Sequence, residues 1–267
     1  MEVIHLKYDN GRMNMVFKFY NQIWIMLSIC AAFAFAGILK RNEEEHFTGS
    51  AVPVFKTCAA LLVCGAFMYP VFAGTDKMTD RMSDSAPHTL DGMKYMETSI
   101  YYQDDFVMDL SEDYDAIQWM QDNVEGSPVI VEASPTEYKF GSRYTIYTGL
   151  PGVVGWNYHQ RQQRPGRSNE VWDRVNGIGE FYNAADLGTA VRFIEKYNVK
   201  YIIVGQMEKG MYSADGIAKF AEADGVPAIV ADENGVETEY NSLWKCVYDR
   251  GNTRIYEVTM DGIGDEE

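Results

Sequence analysis

The stretch FYNQIWIMLSICAAFAFAGIL, Phe19 to Leu39, contains no charged residue. A second uncharged run, TCAALLVCGAFMYPVFAGT, extends from Thr57 to Thr75 between Lys56 and Asp76. A bilayer core about 30 Å thick is crossed by ~20 helical residues, so each run is long enough to span it. One such run alone would also suit the buried helix of a soluble core. Two in tandem, parted by KRNEEEHFTGS, argue against that. Ala32-Phe33-Ala34 and Ala34-Phe35-Ala36 look like cleavage sites, but the apolar stretch is too long for a signal peptide and a second run follows. The sequence therefore predicts an α-helical transmembrane hairpin with helices at 17–39 and 51–75.

The flanks agree with that reading. Phe17, Tyr20 and Trp24 at one end, and Tyr69 with Phe72 near the other, suit the aromatic belt of a lipid interface. Lys18 and Lys56 can snorkel from the helix ends. Basic residues do not fix the orientation. Lys40 and Arg41 in the connecting loop are matched by Lys7, Arg12 and Lys18 before the first span and by Lys77 and Arg81 after the second.

Whole-chain averages hide this organisation. A mean hydropathy of −0.26 and a pI near 4.6 describe an ordinary acidic soluble protein. The net charge of −16 argues against nucleic acid or an anionic membrane surface as a partner. Cys30, Cys58 and Cys64 fall in the spans and only Cys246 lies beyond them, so cysteine usage does not report the compartment.

Beyond a linker at 76–110, residues 111–260 have the size and patterning of one soluble α/β domain with a mixed sheet, followed by an acidic tail at 261–267. A helix is expected from a Ser111 N-cap, with Tyr114, Ile117, Met120 and Val124 at helical spacing. Val129 to Ala133 and Val199 to Val204 read as strands. Ala184 to Asn198 and Ser213 to Ala223 read as helices. Leu243 to Tyr248 and Thr253 to Val258 flank a hairpin turn. Trp119, Trp172 and Trp244 read as core or half-buried packing residues.

Several sites are missing. Asn176-Gly-Ile-Gly179 is too short for a dinucleotide fingerprint and follows a helix. There is no Walker loop and no nucleophile elbow. His5, His46, His88 and His159 are scattered, so neither a metal nor a cofactor is expected.

One cluster stands out: GWNYHQRQQR, Gly155 to Arg164, beside the apolar GLPGVV. Trp156 and Tyr158 offer flat faces that stack on sugar rings. Gln160, Gln162 and Gln163 can read hydroxyls in both senses. Arg161, Arg164 and Arg167 recur every three residues, so in a helix they would share roughly one face. Their guanidinium forks suit phosphate or carboxylate oxygens. The bland alternative is a solvated helix start whose arginines pair with nearby acids. Gly149-Leu-Pro-Gly152 reads as a turn that positions the cluster, and Asp91 as a helix cap.

Five stretches together resemble one family. They are GRMNMVFKFYNQIW (Gly11 to Trp24), HTLDGMKYM (His88 to Met96), DAIQWMQDNVEGSPVIVEA (Asp115 to Ala133), YTGLPGVVGWNYHQRQQR (Tyr147 to Arg164) and KYNVKYIIVGQMEKGMY (Lys196 to Tyr212). The resemblance is to the YYY-type large polytopic membrane proteins of archaea and some bacteria. Those proteins look like the GT-C class of glycosyltransferases, which take sugars from polyprenyl-phosphate carriers. Family members carry many transmembrane helices and this chain shows two, so it looks like the C-terminal portion of one. By that analogy residues 1–16 are the remnant of an extracytoplasmic loop, 40–50 face the cytoplasm, and the α/β domain faces outside. The catalytic acid of such enzymes would lie upstream of Met1.

The resemblance implies a membrane glycosyltransferase, or its acceptor-side part. A lipid-linked sugar and an upstream polytopic subunit are then the expected partners besides the bilayer. Cationic groups would stabilise charge on the lipid phosphate. Arg161 and Arg164, or Arg12 and Lys18 at the membrane edge, are candidates. His159 would donate a hydrogen bond or orient a neighbour. Glu2 and Asp9 are the only acids in the N-terminal loop and hence the catalytic candidates within this chain. The alternatives are a non-catalytic, membrane-anchored module that binds a glycan or lipid-linked sugar, and a purely structural assembly domain.

Overall fold

The computed structural model describes residues 13–45, 51–81, 85–103, 106–232 and 235–262. It divides into two compact units, 1–84 and 85–267.

The first unit contains two helices, α1 (Met13–Glu45) and α2 (Ala51–Arg81). Both extend beyond the uncharged runs because their polar ends remain helical. The stretches Met15–Arg41 and Val52–Arg81 are long and apolar enough to cross a membrane. Their apolar residues point outward all round: Trp24 is 72% exposed, Phe33 83% and Leu62 76%. A helix that is apolar on every face with little protein covering it belongs in lipid. Neither span is buried inside the described protein, which speaks against the buried helix of a soluble core. Ser28 Oγ donates to the Trp24 carbonyl at 2.8 Å and Thr79 Oγ1 to the Thr75 carbonyl at 3.0 Å, the internal pairing that hydrocarbon favours.

The second unit is built on a five-stranded mixed sheet. Its strands are β3 (Val129–Val131), β4 (Val199–Val204), β5 (Ala228–Ala231), β6 (Glu237–Arg250) and β7 (Thr253–Gly262), in the order β3-β4-β7-β6-β5. Only β3 and β4 are parallel; the other pairs are antiparallel. The near-continuous apolar run of β4 follows from burial on both faces. Ile202 and Val204 face one core and Ile203 the other.

On the first face pack α6 (Ser168–Asn183), α7 (Leu187–Tyr197) and α9 (Ala214–Glu222), through Phe181, Tyr182, Ile194 and Phe220. On the second lie α3 (Leu110–Asn123), α4 (Arg143–Thr148) and α8 (Gln206–Met211), through Ile117, Met120, Tyr144 and Met207. Tyr182 ties the layers by donating its hydroxyl to the Ile203 carbonyl at 2.7 Å. Trp244 is fully buried and donates Nε1–H to the Phe220 carbonyl at 2.9 Å.

Four expectations need correction. The helix α3 is capped by Asp109, whose Oδ1 accepts from Ser111 N at 3.0 Å; Ser111 lies inside the first turn. The expected linker, 76–110, includes the hairpin of β1 (Ile100–Gln103) and β2 (Phe106–Asp109), whose Met108 is fully buried. Asn176 to Gly179 lie inside α6 rather than after a helix. Trp172 is 42% exposed, with the Arg161 guanidinium 4.2 Å from its ring centre.

Candidate functional site

The cluster lies on the connection that follows β3. In parallel sheets ligands gather beyond the carboxyl ends of strands, and β3 feeds the 134–142 segment that faces the start of α5 (Asn157–Gln163). The intervening turn is tied to the sheet edge: Ile130 N donates to the Pro151 carbonyl at 2.9 Å.

The three arginines do not share one helix face. Pro165 disfavours helical backbone at Arg164, which sits at φ −127°, ψ 61° and ends α5. Pro165–Arg167 then forms a separate 3-10 turn. Arg161 turns inward. Its side chain is 21% exposed, ion-paired to Glu137 and hydrogen-bonded to Asn157 Oδ1 at 3.2 Å. Between Trp172 and Glu137 it clips α5 to its surroundings.

Arg164 and Gln160 do line a cleft together. Arg164 Nη1 donates to Gln160 Oε1, and Arg167, Arg174 and Glu170 complete the polar lining against Gly152, Val153 and Val154. The cleft holds about 300 Å³. Three guanidiniums face one carboxylate there, in a chain whose net charge is −16. Arg174 is fixed by a 2.7 Å bond from Nη1 to the Val153 carbonyl. Sequence reading missed it, although Arg167, Glu170 and Arg174 recur at the spacing of one helix face.

Trp156, Tyr158 and His159 gather with Tyr138 instead. Tyr138 meets Trp156 edge-on at 6.4 Å and Tyr158 at 5.8 Å, and His159 lies 5.9 Å from Trp156. Lys18 is exposed on α1, in the other unit. Glu2, Asp9 and Arg12 lie outside the described residues.

A buried ionic network also escaped the sequence reading. Arg143 Nε donates to Asp113 Oδ2 at 2.8 Å, and its two terminal nitrogens reach Glu208. Glu132 accepts from Tyr144 N at 3.0 Å and from Thr145 N at 2.9 Å, capping α4 from the end of β3. Burial pushes the Asp113 and Glu132 carboxyls up against the pull of Arg143. Burial would also raise Glu208, but the Arg143 charge and the N–H groups of Ala133 and Gly205 outweigh it and hold that carboxyl low. Burial alone would lower the Arg143 guanidinium; its carboxylates hold it well above its ordinary value. The network is buried, with Glu132 its most exposed member at 7%, so it positions the site rather than acting in it.

Fold and site together define a class: an α/β domain preceded in sequence by two membrane-length apolar helices and bearing a cationic cleft. No family model and no curated protein matches the chain. Among solved structures it is similar to the C-terminal globular domain of an oligosaccharyltransferase from Archaeoglobus fulgidus. That likeness has 16% identity and a TM-score of 0.32, over 55% of this chain and 96% of that one. At this level it carries no argument about activity.

Proposed function

We propose that this chain is the membrane-anchored, lipid-phosphate-binding part of a GT-C-like glycosyl-transfer system, of the YYY type that its motifs resemble. The helices α1 and α2 hold it in the bilayer, and the α/β domain works on the extracytoplasmic side. The observation that carries the reading is the cleft of Arg164, Arg167 and Arg174. A local excess of guanidinium in an acidic protein selects an anion, and its forks match phosphate oxygens. A polyprenyl-phosphate sugar presents that phosphate next to the bond that breaks in transfer. When the anomeric carbon leaves, charge builds on the carrier phosphate, and the arginines stabilise it.

Glu170 is the one carboxylate lining the cleft among the described residues, and it stands 3.9 Å from Arg167. That pairing favours binding over acid–base chemistry at this cleft. A module that presents the carrier without cleaving it is therefore the second reading.

The test is a titration of the full chain in nanodiscs with a short-chain prenyl phosphate. Binding should weaken with salt, and by about tenfold in Arg164→Gln and in Arg167→Gln, the loss expected for one charge-assisted contact. Equal binding by the double variant would remove the cleft from the function.

A further inference from the structure

A second, smaller pocket also borders α5 and shares no lining residue with the cationic cleft. Its walls are the 134–142 segment and the start of α5. The pocket opens to the surface and its accessible space is about 20 Å³, room for one hydroxyl- or carbonyl-sized group and too little for a ring. Trp156 lines it, and its Nε1–H, shielded from solvent, meets no acceptor among the described residues. A buried donor left this way bears the full cost of its desolvation.

The wall is held in unusual backbone. Tyr138 (φ 64°) and Ser142 (φ 55°) are left-handed without being glycine. Gly141 has no room for a Cβ, which would meet Pro135 Cγ at 2.7 Å. Strain of this kind persists only where the surroundings impose it, and it clusters at binding sites. Here it accompanies a Tyr138 side chain left 74% exposed at the pocket's edge. The wall charges, Glu137 and Lys139, balance, and Glu137 is engaged by Arg161. The pocket therefore suits an uncharged group.

We infer that this pocket is a saccharide subsite: one sugar hydroxyl enters it and accepts the Trp156 Nε1–H, while the ring's C–H face lies on Tyr138. A hydroxyl accepts that bond and keeps a proton to donate, and a sugar carries hydroxyls beside an apolar face. The inference rests on the glycosyl-transfer reading for the class of ligand. It adds that the sugar is held apart from its phosphate, with α5 bordering both subsites.

The test uses isotope-labelled full-length protein in a detergent without sugar head groups, titrated with methyl glycosides of glucose, galactose, mannose and N-acetylglucosamine. Five tryptophans give five indole N–H signals, and Trp156→Phe identifies one. That signal should shift saturably at millimolar glycoside while the Trp244 signal, bonded to the Phe220 carbonyl, stays fixed and reports an intact fold. Trp156→Phe should weaken binding about tenfold, the loss of one hydrogen bond to a shielded donor, and Tyr138→Ala should weaken it as well. No shift with any glycoside, or unchanged binding in both variants, overturns the inference. So does a shift produced by a hydroxyl-bearing peptide and by none of the glycosides. Arg164→Gln should leave the glycoside shift intact. A protein that binds glycosides but no prenyl phosphate keeps this subsite and loses the cleft assignment.

Discussion

Arg143 and Glu208 meet as two parallel forks in the interior, Nη1 3.3 Å from Oε1 and Nη2 3.0 Å from Oε2, with both side chains 0% exposed. The same carboxylate accepts from Ala133 N at 2.7 Å and from Gly205 N at 2.8 Å. One ion pair thus fastens the ends of β3 and β4. It also holds both ends of the segment that walls the Trp156 pocket, since that segment leaves β3 at Ala133 and enters α4 at Arg143. Fixing those ends is what allows the segment between them to keep left-handed backbone.

Arg143→Met should destabilise the α/β domain by about 3–5 kcal/mol, because it strands buried carboxylates. The loss should be larger at pH 8 than at pH 5. Asp113 and Glu132 are already raised above their ordinary range by burial, and without the guanidinium the folded state binds protons that the unfolded state releases. Stability of the variant therefore falls as pH rises through the carboxylate range and above. Thermal unfolding followed by near-UV circular dichroism at the two pH values checks this. In the native protein Glu208 acts with the opposite sign. Its contribution is present above the ordinary carboxylate range and is lost as pH falls through its lowered folded value.

Asp186 caps α7, its Oδ1 accepting from Thr189 N at 2.8 Å. Asp186→Ala should cost about 1 kcal/mol, and Asp186→Asn much less, since the amide oxygen keeps the cap. Shifts in the denaturation midpoint of the two variants measure the difference.

Helix propensity favours alanine over glycine by about 1 kcal/mol in a helix interior, yet Gly216→Ala in α9 should destabilise. The added Cβ would sit 2.2 Å from the Tyr182 carbonyl oxygen and 2.5 Å from that of Asn183. Those atoms are backbone at the end of α6 and do not yield as a flexible side chain does. Overpacking of about 1–3 kcal/mol then exceeds the propensity gain. A midpoint shift toward higher stability would show that α6 and α9 move apart freely.

Arg161 and Arg164 are three residues apart and should behave differently. Arg161→Gln removes the ion pair to Glu137 and the contact with Trp172, so it should lower thermal stability and disturb the Trp156 surroundings. Arg164→Gln should leave the melting temperature within about 1 °C, as for other exposed surface changes, and weaken anion binding. Melting curves and prenyl-phosphate titrations on both variants separate the two roles.

The two long apolar helices were legible in the residues themselves. An uncharged run of bilayer length is a local property that no later contact can rewrite. The same holds for α7, β4 and α9, where strong periodicity and good caps (Asp186, Ser213) agree with the tertiary environment. Weakly patterned elements such as the β1–β2 hairpin, α4 and β5 are fixed by strand pairing and by packing rather than by their own pattern.

The arginines show where local reading stops. Sequence spacing placed Arg161, Arg164 and Arg167 on one helix face; Pro165 ends that helix, and the Glu137 contact draws Arg161 away while Arg164 and Arg167 line one cleft. Arg174 joined the cleft because α6 folds back beside Gly152 to Val154. No residue type or spacing marks Arg143, Asp113, Glu132 and Glu208 as partners, since the pairings of Arg143 span from 11 to 65 positions along the chain. By itself the sequence determined which segments are apolar, which are periodic and where arginine and aromatic side chains concentrate. The tertiary structure decided which charges are buried, which remain at the cleft and which donor is left without an acceptor, because burial and charge pairing depend on neighbours that only folding brings together.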